Sequence, residues 1–257
     1  MIFGRRRPGL PEGWEDVAAS SIAHWQYLDD DERAQMGEDA DRLLRTKHWE
    51  AARGFELTDE IRVVIAVQAS LLVLGLGFES YREVKAIVVH PTTMVRTAPR
   101  AGPVAGVVVE GPLPILGEAA HRGGPITIAW DAASDGARHP ERGFNVVYHE
   151  FAHKLDMLNY VVDGTPPLAD EETRARWIEV CTDAYERVRA GTEGGLLRDY
   201  AGVNPGEFFA VATEVFFDIP DRMRAHERDL YEVLSGFYRQ DPASRLPRHG
   251  HGHGRRG

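Results

Sequence analysis

Between Arg62 and Glu79 the chain reads Val63-Val64-Ile65-Ala66-Val67-Gln68-Ala69-Ser70-Leu71-Leu72-Val73-Leu74-Gly75-Leu76-Gly77-Phe78. A helix this apolar on every side has no polar face to offer water, so other parts of the chain must wrap it. It is also short for a membrane crossing, which takes about 20 apolar residues, and Gln68 and Ser70 interrupt it. The chain is therefore expected to build a globular core around one buried helix. Thr58-Asp59-Glu60 supplies a cap and an acidic first turn, and Gly75 and Gly77 mark the end. With 257 residues, 43% of them hydrophobic, there is enough material for such a core.

The rest of the N-terminal hundred residues also reads as helical. Trp14 to Leu28 carries apolar residues at helical spacing, and Asp31 to Trp49 follows an acidic start. The period then changes. Ala86 to His90, Val104 to Glu110 and Ile126 to Trp130 are short β-type runs separated by glycines and prolines. Gly143 to Leu158, Glu171 to Ala190, Pro205 to Phe217 and Met223 to Tyr238 return to helical periodicity. Helices, then short strands, then helices predict an α+β fold rather than an alternating parallel one.

Charge and termini narrow the function classes. The formal net charge of -10 argues against direct nucleic-acid binding, which draws most of its affinity from basic residues. Met1 to Pro8 is basic, but no apolar segment of a secretory signal follows it, so a cytoplasmic location and no membrane partner are expected. The one cysteine, Cys181, lies on an apolar helical face with Trp177, Ala184, Tyr185 and Val188, and reads as a small buried hydrophobe. Gly75-Leu76-Gly77 is too short for a dinucleotide-binding turn. His24, His48, His90 and His121 show no partner spacing.

His149-Glu150-Phe151-Ala152-His153 is different. On a helix, residues four apart share a face, so His149 and His153 can offer two imidazole nitrogens to one metal ion. Glu150, turned aside from the first ligand, can reach a water rather than the metal. A catalytic zinc takes three protein ligands and leaves one position open. No histidine a short distance downstream completes the set. The segment Asn204 to Glu214 instead carries Glu207 and Glu214, seven residues apart and on one helical face; spacing does not choose between them. Asp156 shares a face with the two histidines, but its short carboxylate is better suited to bracing an imidazole. A fourth ligand, Asp156 or Glu214, would turn the site into a closed structural one. The β-type run before the motif suggests an edge strand beside the metal helix, where a substrate backbone could pair.

These residues together resemble the Mlc titration factor A family of zinc peptidases, which is similar in its catalytic region to lethal-factor-type zincins. The resemblance covers nearly the whole chain and rests on four segments. They are Leu57-Thr58-Asp59-Glu60-Ile61-Arg62, Asn145 through Leu158, Asp163-Gly164-Thr165-Pro166-Pro167-Leu168, and Asn204 through Glu214. It implies a zincin-like fold with a small mixed sheet, its edge strand next to the motif helix. It implies one zinc ion per chain on His149, His153 and Glu207, with Glu150 and Tyr200 as catalytic residues and Glu214 in a supporting role. Taken from the sequence without the resemblance, Tyr200 could equally be a buried tyrosine capping the loop before the helix. The resemblance implies an aminopeptidase-like activity on peptide or protein substrates, and a possible second partner in a sugar-responsive transcriptional repressor. The expected organisation is a helical part over residues 1–95 packed on a catalytic part over 96–240 as one unit. A His/Gly-rich tail over 241–257 is expected to be disordered.

Overall fold

The structure, a computed structural model, describes residues 8–247 except 53, 93–94, 97–99, 102–107, 110–112, 115–123, 160, 162 and 192–194. In chain order the N-terminal elements are α1 (Trp14–Ser21), α2 (Asp30–Thr46), β1 (His48–Ala51), α3 (Asp59–Val73) and β2 (Ala86–His90). Four two-residue strands follow: β3 (Val95–Arg96), β4 (Arg100–Ala101), β5 (Val108–Val109) and β6 (Leu113–Pro114). Then come β7 (Ile126–Ala129), α4 (Trp130–Arg138), α5 (Val146–Asp156), α6 (Glu171–Arg189), α7 (Pro205–Asp218), α8 (Pro220–His226), α9 (Arg228–Tyr238) and α10 (Pro242–Arg245). The fold is α+β and mostly helical.

Helix α3 is the central element that its composition demands. Every residue from Val63 to Val73 is buried. The Thr58 side chain accepts the Ile61 N–H and caps the start. Helices α1, α2 and α5 pack around it. Its two polar residues stay satisfied inside the core: the Gln68 amide donates to Val64 O and the Ser70 hydroxyl to Ala66 O.

The central sheet corrects two expectations. It has the order β1-β2-β7 and both pairings are parallel, so it is not mixed. Antiparallel pairing is confined to the two small ladders β3–β6 and β4–β5. Strand β1 replaces the C-terminal end of the helix expected to run to Trp49. It pairs His48 with Ala86 through Ala51 with Val89, and α3 provides the crossover that parallel strands require. Strand β7 lies at the sheet edge and packs on α5.

Other boundaries shift locally. Trp130 opens helix α4 directly after β7 instead of ending the strand. The helix expected over Met223 to Tyr238 is two, α8 and α9, broken at Glu227. The segment expected to be tail is structured to residue 247, since α10 buries Ala243 and Arg245 pairs with Glu32 at 2.7 Å. Residues 248–257 and most of the run Val104 to Glu110 lie outside the described residues.

Candidate metal centre

The packed surfaces of α5 and α7 make the site. Helix α5 is buried along its whole length. Its start is capped by Asn145, whose side-chain oxygen accepts from Val147 N and Tyr148 N. That cap is itself held in the core, because the Asn145 amide donates to Gln68 Oε1 of α3 at 2.9 Å. Helix α7 begins at Asn204, which accepts the Glu207 N–H at 3.0 Å, with Pro205 in the first turn. A glutamate at this position of a helix commonly reaches back to the cap. Here the Oε2 of Glu207 points to α5 instead.

His149, His153 and Glu207 converge. The two Nε2 atoms are 3.2 Å apart, and Glu207 Oε2 lies 3.0 Å from His149 Nε2 and 3.6 Å from His153 Nε2. A tetrahedral ion with ligand bonds of about 2.0–2.1 Å holds its ligand atoms about 3.3 Å from one another. The three separations bracket that value. Glu207 Oε2 is buried yet makes no hydrogen bond, although an imidazole nitrogen is within reach. Three potential ligand atoms gathered this closely, the two imidazole nitrogens at 3.2 Å and a buried carboxylate oxygen beside them, are what a metal ion would satisfy. Two nitrogens and a carboxylate oxygen are a zinc-compatible donor set. Among the described residues, the group comprises these three and no fourth.

Glu150 is fully buried and neither carboxylate oxygen has a hydrogen-bond partner. Burial raises its pKa above the usual carboxylate value, against the pull of His149 and His153. Burial would also raise Glu207, but the two imidazoles outweigh it and hold that carboxyl well below the usual range. For His149, burial acts to lower the pKa. Glu214 and Glu207 overcome it, and the imidazole is pushed up to about 10.

Tyr200 stands on a 3-10 turn, Asp199–Gly202, just before α7. Its ring centroid is 6.1 Å from that of His149. Burial, together with Glu207 and Glu150, raises its hydroxyl well above the usual tyrosine value, so it is a proton donor throughout the neutral range. Trp177 of α6 donates to the carbonyl of Gly164, which has φ +73° and abuts Pro205 so closely that a Cβ would meet Pro205 O at 2.4 Å. The Asp163 to Leu168 segment thereby seats the start of α7.

The other carboxylates separate cleanly. Glu214 does not face the ligand cluster's centre. It accepts His149 Nδ1 at 2.7 Å and so orients the ring that Nε2 belongs to. Asp156 lies outside the ligand group and accepts Gly164 N–H at 3.0 Å, so the bracing expected of it belongs to Glu214. Neither is placed to close the coordination. Sequence reasoning missed Arg198, whose guanidinium reaches both oxygens of Glu214, at 2.6 and 3.1 Å. It also missed the Gln68–Asn145 link. Neither has a spacing signature, since each joins segments far apart in the chain.

A profile of the family described as glucose-regulated metallo-peptidase M90 matches residues 4–239. An uncharacterized protein of Synechocystis sp. is 31% identical over 240 residues, spanning 92% of this chain and 86% of the relative. Mlc titration factor A of Serratia proteamaculans is 31% identical over 241 residues, 91% of this chain and 89% of the relative. That of Pectobacterium atrosepticum is 31% identical over 240 residues, with 91% and 88% covered. Match and relatives span the central helix, the sheet and both helices of the cluster, so the likeness extends well beyond the five-residue motif. The chain belongs to the M90 family of glucose-regulated metallo-peptidases.

Proposed function

We propose that this chain is a zinc-dependent peptidase of aminopeptidase-like specificity, with His149, His153 and Glu207 as zinc ligands and Glu150 and Tyr200 as catalytic residues. The observation that carries the reading is the pair of orphaned carboxylates. Glu207 Oε2 and both oxygens of Glu150 are buried without hydrogen bonds beside two imidazoles. Such groups are costly unless a ligand or reaction uses them.

His149, His153 and Glu207 would hold a zinc ion, which would supply Lewis-acid polarisation of a water and of the scissile carbonyl. Glu150 takes the proton from the attacking water and later delivers it to the leaving amine. Its raised pKa suits the return step. The Tyr200 hydroxyl, held protonated, donates to the oxygen that gains charge. Glu214 holds His149 in the tautomer that presents Nε2 to the cluster. Edge strand β7 has no ladder partner on its outer side among the described residues, and it offers a substrate backbone a place to pair. The ammonium of Lys154 fixes α5 to the entry of that strand through Gly124 O at 3.0 Å.

The decisive variant is Glu150→Gln. It is expected to keep one zinc per chain and to lose peptide hydrolysis by at least about 10²–10⁴-fold. Full activity in that variant would sink the mechanism. Parallel assays on free and N-blocked peptides test the specificity: cleavage of the free-amine set alone supports an aminopeptidase, and equal cleavage of both sets makes the enzyme an endopeptidase.

The names of two relatives favour a second, compatible role. They are titration factors for Mlc. On that ground we propose that the chain also binds a transcriptional repressor, and that it acts in the cytoplasm, where such a partner would be met. Co-purification with a cognate repressor, retained in Glu150→Gln, tests the binding apart from hydrolysis.

A further inference from the structure

Glu214 is a fully buried carboxylate whose acceptor capacity is filled. Oε1 takes His149 Nδ1 at 2.7 Å and Arg198 Nη2 at 2.6 Å; Oε2 takes Asn145 N at 2.7 Å and Arg198 Nη1 at 3.1 Å. Two oxygens carry about four acceptor sites, so none is left over. Half of that set comes from one guanidinium, docked as a fork across both oxygens. The same guanidinium lies 4.8 Å from the centroid of the Phe144 ring and 5.9 Å from that of Tyr200. Arg198 also starts the turn on which Tyr200 sits, its carbonyl accepting Ala201 N–H.

We propose that Arg198 is a positioning residue that ties the two halves of the site together. Through Glu214 it fixes the tautomer and ring plane of His149. Through its ring contact and the short turn it fixes the Tyr200 hydroxyl. The part concerning Tyr200 rests on the peptidase reading above; the part concerning His149 rests only on the ability of the cluster to hold zinc. Charge supports the arrangement. Glu150, Glu207 and Glu214 bring three carboxylates to the cluster, and Arg198 with one divalent cation balances them. Lys154 and Asp156, of opposite sign, flank it on α5. Lysine cannot replace the arginine, because a point charge neither forks across a carboxylate nor lies flat on a ring.

The experiment uses the full chain and zinc alone as the first probe. In Arg198→Lys the zinc affinity, measured by chelator competition, is expected to fall about 10–100-fold. In Arg198→Ala, low millimolar guanidinium is expected to restore part of the loss, while the wild-type protein does not respond. The side chain is 29% exposed, so the added ion can reach its place. With zinc saturating, Arg198→Lys is expected to lose kcat with KM little changed, since Tyr200 acts on charge developed in the transition state. Tyr200→Phe shares the kcat loss but keeps zinc affinity. Nitrogen spectra of the wild-type imidazoles provide a measurement that no folding failure can remove. The His149 ring must carry its proton on Nδ1 in the zinc-loaded protein. Wild-type zinc affinity in both Arg198 variants, or an Nδ1 without a proton, overturns the proposal. If the wild-type protein binds zinc and cleaves nothing, the peptidase reading fails, and the affinity and spectral arms still decide the clamp.

Discussion

Helix α7 buries two carboxylates one turn apart, Glu214 and Asp218, and treats them in opposite ways. Both side chains have no exposure, and each has a histidine for a neighbour. Glu214 receives four hydrogen bonds from three residues, Asn145, His149 and Arg198. Asp218 has one distant contact, His24 Nε2 at 3.5 Å, and neither of its oxygens nor that nitrogen finds a hydrogen bond. Burial accordingly pushes the Asp218 carboxyl up to about 7, against the pull of His24. Burial by itself therefore does not decide whether a carboxylate's hydrogen-bonding capacity is met. The number of donors brought to it does. At Glu214 those donors include the Arg198 guanidinium, and the carboxylate in turn orients the His149 ring. Asp218 faces His24 at 3.5 Å, and burial favours its neutral form.

Removing the supported carboxylate tests this contrast hardest. Glu214→Leu leaves the Arg198 cation and His149 Nδ1 without their acceptor. It is expected to destabilise the protein by about 3–5 kcal/mol, as breaking one side of a buried pair does. Urea denaturation measures it; a cost near zero would mean that Arg198 and His149 find other partners.

The unsupported carboxylate is expected to reveal itself through pH. Its pKa is raised on folding from 3.8 to about 7, so the folded state binds the proton more tightly. The stabilisation is complete below about pH 4 and is lost as pH rises through about 7, at a total of a few kcal/mol. Asp218→Asn, close to isosteric with the protonated acid, should flatten that slope while leaving stability at pH 4 within about 1 kcal/mol. Asp156, whose pKa burial raises to about 6, contributes a parallel slope that the variant leaves in place. An unchanged pH profile would show that Asp218 is charged and that an unseen donor serves it.

The smallest expected effect separates the two histidine environments. Against its burial, Glu214 and Glu207 push the imidazole of metal-free His149 up to about 10. Zinc uptake at pH 8 should therefore expel about one proton per chain, because the ligand must be neutral. Calorimetry in buffers of different ionisation enthalpy reads that number. Zero release would place a neutral imidazole in the metal-free site.

Much of the local architecture was readable in advance. Thr58 caps the helix that follows it, as its residue type predicts. The all-round apolar run is the core helix. Strand β1 was not readable: His48-Trp49-Glu50-Ala51 has no apolar alternation, and its pairing with β2 joins residues 38 positions apart, as His48 with Ala86. The helix after β7 was missed because Trp130 continues the apolar run without a turn signal. Arg198 was unmarked because its partner lies 16 residues downstream and only the fold brings them together.

The sequence by itself determined that two imidazoles and a buried glutamate share one helix, since a spacing of four residues is a property of the helix alone. It also determined that a second helix would bring two glutamates on one face. Which of them meets the imidazoles was decided by tertiary structure. Seven residues along a helix is about 10 Å of rise, so the two carboxylates stand at different heights. The packing of α5 against α7 sets the height at which His149 and His153 lie. Glu207 meets their Nε2 atoms, and Glu214, two turns on, meets Nδ1 from behind. Arg198 then fills the remaining acceptors of Glu214, a choice no spacing in the chain could express.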